Sequence, residues 1–276
     1  GLVTFGRPSS AGVPAAFAGL TLVLPLDDEA ALDALFAAEG ERIAAVIVEP
    51  VPANNGLLLQ RPGFLRHLRA VTERAGALLI FDEVISGFRV ARGGAAELYA
   101  ITPDLATFGK ILGGGMPVGA FGGRRELMRH LAPEGDVYQA GTLSGNPVAM
   151  AAGIATLAIL EREQAWSRLE ELGGHLETAL APALASAPFP VQLVRQGSLF
   201  WMSLQAGAPP RRADTIDPGA APLYKTIFHG LLARGIALAP SAYEVGFLSL
   251  AHRPEHLDRL ATALREIFAG HRAGRG

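Results

Sequence analysis

Residues 77–84 read ALLIFDEV: five apolar residues run without a break into two carboxylates, Asp82 and Glu83. A continuous apolar run of this length has the texture of a strand buried on both faces, as in a parallel sheet. The stretch before it, PGFLRHLRAVTERAG (62–76), places Phe64, Leu65, Leu68 and Val71 on one helical face and ends in glycine. Upstream, AAVIVEP (44–50) is another apolar run, ending in Glu49. Downstream, DLATFGK (104–110) and PVGAFGG (117–123) are shorter strand candidates, the first ending in Lys110. Alternating strands and helices predict an α/β fold with a mostly parallel sheet.

Beyond Asn146 the texture changes. A helical pattern runs to about Leu172, and the alternating segments VQLVRQG (191–197) and LFWMSLQA (199–206) predict an antiparallel sheet. RRADTIDPGAAP (211–222) reads as an exposed loop. LYKTIFHGLLARG (223–235) and PEHLDRLATALREIFAG (254–270) read as amphipathic helices, each stopped by glycine. The expected division is a portion of an α/β large domain over 1–160 and a smaller α+β domain over 161–276.

Composition narrows the partners. The 276 residues carry a net charge of −2, with half of them hydrophobic. They lack the basic footprint that nucleic acid or an anionic membrane surface calls for. Without cysteine the chain has no disulfides or thiolate metal sites, which fits a cytoplasmic setting. The longest apolar run, VAMAAGIATLAIL (148–160), is 13 residues, against the roughly 20 needed to span a bilayer.

Open parallel sheets bind ligands beyond the carboxyl ends of their strands. Here three candidate strands deliver Glu49, Asp82 with Glu83, and Lys110 to that edge. Buried ion pairs or helix caps would account for any one of them, and less readily for all. Of 24 basic residues only Lys110 and Lys225 are lysine. A guanidinium keeps its proton, whereas a desolvated lysine can lose one and its neutral amine condenses with aldehydes. Lys110 is therefore the candidate for amine chemistry; Lys225, inside an amphipathic helix, reads as a surface charge. The glycines at 113–115 and 122–123 are read as room for backbone beside a bulky planar group. A phosphate loop would need G-x-x-x-x-G-K-[ST], yet Ile111 follows Gly109-Lys110, and no such loop precedes the Walker-B-like LLIFDE.

LLIFDEVISGFRV (78–90) followed by PDLATFGKILGGGMPVGAFGG (103–123) resembles the core of the class III pyridoxal-phosphate aminotransferases, which have fold type I. VYQAGTLSGNPVAMAAGIATL (137–157), AAVIVEPVPANNG (44–56) and APSAYEVGFLSLAH (239–252) extend the resemblance over nearly the whole chain and narrow it to the aminomutase branch. The resemblance implies an enzyme with pyridoxal 5'-phosphate or pyridoxamine 5'-phosphate as cofactor. It would exchange amino and oxo groups on a small amino or oxo acid. The alternatives are a class III transaminase for a related amino acid and a non-catalytic remnant.

By the same resemblance Lys110 holds the cofactor and moves the proton, and Asp82 pairs with the pyridine nitrogen. Val84 packs on one ring face, or is simply core strand. Asn54 lies near the phenolic oxygen, or serves turn chemistry in Asn54-Asn55-Gly56. Thr142, with backbone around Gly141, binds cofactor phosphate across a subunit interface, which implies a homodimer, and Tyr138 lies close to that phosphate. In the bland reading this stretch is a helix start, capped by Ser144 or Asn146 with Pro147 in the first turn. Glu244 stands at the substrate end as a catalytic candidate, or is an exposed loop charge. Glu49 supports the site.

The family's phosphate-cradling Ser-Gly-Thr segment is not found before Asp82, and residues 1–12 resemble the end of the family's gating loop. The chain is thus expected to correspond to the later part of a family member. Its site residues would be present, with part of the surrounding pocket absent.

Overall fold

The computed structural model describes residues 12–273, so the gating-loop resemblance of residues 1–12 lies almost wholly outside the described residues. Helix α1 (Glu29–Glu39) starts at Asp28, whose side chain accepts the Ala31 amide at 2.9 Å. Strand β1 (Ala45–Val48) follows, then α2 (Pro62–Ala75), β2 (Leu78–Asp82), the short α3 (Gly94–Tyr99), β3 (Leu105–Phe108) and β4 (Ala120–Gly123). The four strands form one sheet in the order β1-β2-β3-β4; β1, β2 and β3 run parallel and β4 is antiparallel to β3.

Helix α2 has the face its spacing predicts: Phe64, Leu65, Leu68 and Val71 are buried, and they pack with Leu32 of α1 against Leu79 and Phe81 of β2. Each such side chain contributes about 1.5–3 kcal/mol by leaving water. The strands themselves differ from expectation. Burial alternates along β2, and β1 leaves Ile47 46% exposed. The cause is one-sided cover: α1 and α2 pack on one face of the sheet, and Leu78 and Ile80 on the other are only half-buried.

The second half builds around α4 (Pro147–Arg162), α5 (Ala165–Ala185), the hairpin of β5 (Gln192–Gln196) and β6 (Leu199–Ser203), α6 (Ala220–Leu232), β7 (Gly246–Phe247) and α7 (Pro254–Ala273). The antiparallel pairing of β5 with β6 follows the alternating sequence, and β7 adds to β6. What reads as one long helix from Asn146 is two, broken at Gln164 in the left-handed region (φ 49°). Nor do the glycines stop both later helices. Gly235 (φ 71°) does close α6, its amide donating to the Leu232 carbonyl at 2.9 Å and the Ile236 amide to the Leu231 carbonyl at 3.0 Å, whereas α7 runs on through Gly270. The 211–222 loop is less exposed than its composition implies. Ile216 is buried, and Arg211 and Arg212 pair with Asp27 and Asp28.

Leu176, Leu180, Ile227, Leu231, Leu264 and Phe268 centre one apolar cluster between α5, α6 and α7. A separate cluster joins Val51, Leu57 and Leu58, after β1, to Leu199, Trp201 and Val245 of the smaller sheet and its loop. Among the described residues no helix is long and apolar enough to cross a membrane.

Candidate active site

Parallel pairing decides which side chains meet. Val48 pairs with Phe81 and Asp82 with Thr107, so β1, β2 and β3 end side by side with Glu49, Asp82 and, three residues past Thr107, Lys110. Asp82 Oδ1 accepts the Val84 amide at 3.1 Å and the Thr107 hydroxyl at 3.4 Å. Oδ2 accepts no hydrogen bond among the described residues. Thr107 is the contributor that sequence reading missed. Its signal was available, since it stands on the expected strand three residues before Lys110.

Glu49 accepts the Ala53 amide at 3.3 Å. Burial pushes its carboxyl above the ordinary value; the Ala53 amide opposes this, the Asp82 charge adds to it, and the Lys110 charge lowers it. Three charged groups therefore feel one another at one sheet edge, as the sequence implies, and Glu49 ties that edge to the loop carrying Asn54.

Lys110 opens a single 3-10 turn, Lys110–Gly113, with φ 49°. A non-glycine residue in this region costs about 1–2 kcal/mol, and such strain gathers at functional positions. Its side chain is exposed and has no hydrogen bond or ion pair among the described residues. The desolvation anticipated for it is therefore not seen among the described residues. Among the glycines around it, Gly114 has a reason beyond the one expected. Gly114 (φ 57°) lies against α4, where an added Cβ would stand 2.8 Å from the Ala152 carbonyl. Glycine here lets a helix approach the lysine turn. Val84 flanks that turn, its Cγ1 3.4 Å from where a Cβ on Gly109 would be.

Asn54 is exposed, and its loop is held to the loop of Glu244: the Gly56 amide donates to the Tyr243 carbonyl at 2.6 Å. Glu244 is exposed too. Its charge adds to burial in pushing the Tyr224 phenol up to about 12. Tyr138, at 83% exposure, and Thr142 make no hydrogen bond, ion pair or ring contact with Lys110, Asp82 or Val84. Of the two caps considered for α4, Asn146 takes the role, accepting the Val148 and Ala149 amides at 3.0 and 3.2 Å. Lys225 is exposed, as expected of a surface charge.

Among the described residues the arrangement offers a carboxylate with one free oxygen and an unpaired primary amine at one sheet edge, flanked by a valine. Known proteins are similar to the chain as a whole. The family model for aminotransferase class III matches residues 4–267. The glutamate-1-semialdehyde 2,1-aminomutase of Bdellovibrio bacteriovorus is 49% identical over 95% of this chain and 61% of its own. Among solved structures, an omega-transaminase from Sphaerobacter thermophilus superposes with a TM-score of 0.89 at 32% identity, over 96% of this chain and 61% of that one. A glutamate-1-semialdehyde aminomutase from Pseudomonas aeruginosa PAO1, in complex with PMP, gives 0.81 at 26% identity, over 94% and 59%. The chain thus spans about three fifths of the length of these relatives.

Proposed function

We infer, on the premise that the chain belongs to the class III aminotransferase family, that its sheet edge holds pyridoxal phosphate or pyridoxamine phosphate. The observation that carries this is that one sheet edge brings together Asp82 and Lys110, with Asp82 Oδ2 and the Lys110 amine both without a partner among the described residues. The residues fit the cofactor: an ionised carboxylate keeps a ring nitrogen protonated, and a primary amine condenses with an aldehyde. When bound, the cofactor supplies an electron sink for the carbon that loses a proton. Asp82 would hold the ring-nitrogen proton in place, with Val84 N–H and Thr107 Oγ1 fixing its carboxylate. Lys110 Nζ would move a proton between neighbouring carbons. Val84 would cover one ring face, Asn54 would lie near the phenolic oxygen, and Glu244 would serve the substrate end.

The reaction proposed for the full-length protein exchanges the amino and oxo groups on adjacent carbons of glutamate-1-semialdehyde. It gives 5-aminolevulinate for tetrapyrrole synthesis, in a cytoplasmic setting. Similarity to the named aminomutases supports it. The fit to an omega-transaminase favours a second reading, transfer of the amino group to a separate acceptor. A homodimer belongs to the proposal: Thr142 and Tyr138 would reach cofactor phosphate in a second copy. Exposed Leu143, Val148 and Ile154 beside them give that copy an apolar face to cover. The proposal also divides the chain into a cofactor-binding portion over 1–160 and a small domain over 161–276, a division supported by the cluster between α5, α6 and α7.

The test is addition of pyridoxal phosphate to the purified chain, followed by borohydride. A visible band trapped on Lys110, and lost in Lys110→Ala, supports the reading; an equal band in the variant defeats it. Formation of 5-aminolevulinate without an added amino acceptor separates the mutase from the transaminase.

A further inference from the structure

Next to Asp82 stands a second carboxylate that the proposed chemistry does not use. Strand alternation turns Glu83 away from the sheet edge and into the protein, where it is 1% exposed. Among the described residues no cation pairs with it. Three donors hold it instead: Ser86 Oγ at 2.8 Å, the Ala95 amide at 2.7 Å and the Ala96 amide at 3.0 Å. A buried charge is expensive, and a short neutral side chain would cap α3 as well. What the longer carboxylate achieves is reach, gripping the start and the end of the segment 84–96 at once. Gly94 (φ 67°) completes the fit, since a Cβ there would lie 2.7 Å from Oε1 and 2.8 Å from Cδ of Glu83.

That segment has two jobs. At its start the Val84 amide fixes Asp82 Oδ1. In its middle it docks on the second half of the chain: Trp166 Nε1 donates to the Phe88 carbonyl at 3.1 Å, Ser198 Oγ donates to the Arg89 carbonyl at 3.3 Å, and the Arg89 guanidinium lies 4.5 Å over the Phe247 ring. The Glu83 backbone is itself tied to β3 by its amide, which donates to the Thr107 carbonyl at 2.9 Å. Glu83 thus joins the strand end, the Asp82 rotamer and the contact with the smaller sheet.

We propose that Glu83 is the positioning residue that sets the Asp82 carboxylate, by clamping both ends of the 84–96 segment whose first amide orients it. The cofactor half of this statement rests on the function proposed above; the clamp itself does not. Glu83→Gln retains the shape, but its amide nitrogen cannot accept from the α3 donors. In the purified chain without cofactor, amide hydrogen exchange in Glu83→Gln is expected to rise at least tenfold at Ala95 and Ala96 and also at Val84. A mere helix cap would accelerate Ala95 and Ala96 and leave Val84 at the wild-type rate, which overturns the proposal. Should Glu83→Gln fail to fold, Ser86→Ala removes one donor and keeps the carboxylate bonded. A faster Val84 amide in that variant supports the proposal, and an unchanged one overturns it. With pyridoxal phosphate added, the visible band is expected to require at least tenfold more cofactor in the clamp variant than in wild type. If the wild-type chain forms no band, the functional reading fails and the exchange result still decides the clamp. If it does, an equal half-saturation in the variant overturns the clamp alone.

Discussion

The Gly56 amide donates to the Tyr243 carbonyl at 2.6 Å, joining loops almost two hundred positions apart. One loop leaves β1 and carries Asn54; the other precedes β7 and carries Glu244. Trp201 locks the junction, its Nε1 donating to the Ala242 carbonyl at 2.8 Å while its ring lies beside Gly56. Two candidate site residues that sequence reading could place only by resemblance are thus held by one backbone contact.

Gly56 tolerates no side chain at this junction. Its φ is 77°, and an added Cβ would stand 3.0 Å from the Trp201 ring and 3.3 Å from Ile216. Gly56→Ala is expected to destabilise the chain by about 2 kcal/mol, through backbone strain and overpacking. Thermal unfolding should show a Tm lower by roughly 4–8 °C, and Trp201 fluorescence should shift with it.

Gly114 poses the same problem at the lysine turn, with a harder neighbour. Thr156 could rotate aside from an added Cβ, but the Ala152 carbonyl belongs to α4 and cannot. Gly114→Ala should therefore cost about 2–3 kcal/mol. It should also slow borohydride trapping at Lys110 several-fold at saturating pyridoxal phosphate. Urea unfolding measures the first effect and peptide mapping of the reduced adduct the second.

These positions show where reading the sequence succeeds and where it stops. Helix α2 was legible because Phe64, Leu65, Leu68 and Val71 repeat at the helical period, a local property. Glu49, Asp82 and Lys110 were legible as a group because each ends an apolar run. The cover on each sheet face was not, since the texture of AAVIVEP is the same whether or not a helix lies over Ile47. For Gly114 a further reason was out of reach, since it is a helix that begins over thirty residues later. Thr107 escaped notice because register with Asp82, not type, gives it a role. Gly270 shows the converse: glycine ends a helix only where the chain has cause to turn.

Glu49 gives a pH prediction. Its carboxyl is raised, chiefly by burial, so folding favours the protonated form. For an acid shifted upward, the contribution to stability is present below the unfolded value and is lost as pH rises through the folded one. Glu49→Gln removes this loss. Unfolding midpoints in urea should match wild type near pH 4 and exceed it near pH 7, with the gap opening above about 4.3. A variant less stable than wild type at pH 7 would show that the ionised carboxylate is needed at the edge.

Asp104 runs the other way. It is 6% exposed at the start of β3, and its Oδ2 accepts the Leu79 amide at 2.7 Å and Arg69 Nη1 at 2.8 Å, while Arg124 lies 3.2 Å from Oδ1. Burial raises its carboxyl, but the Leu79 amide, Arg69 and Arg124 together outweigh burial and hold it below the ordinary value. An acid shifted downward stabilises above its unfolded value of about 3.9 and loses that contribution as pH falls through the folded one. Asp104→Asn leaves Arg69 without its charge partner and should cost about 2–4 kcal/mol at pH 7. The deficit should shrink as pH drops below about 4, where wild type loses what the variant never had. Urea midpoints taken from pH 7 to pH 2.5 decide it: parallel curves for the two proteins would mean that the Asp104 carboxylate carries none of the acid sensitivity.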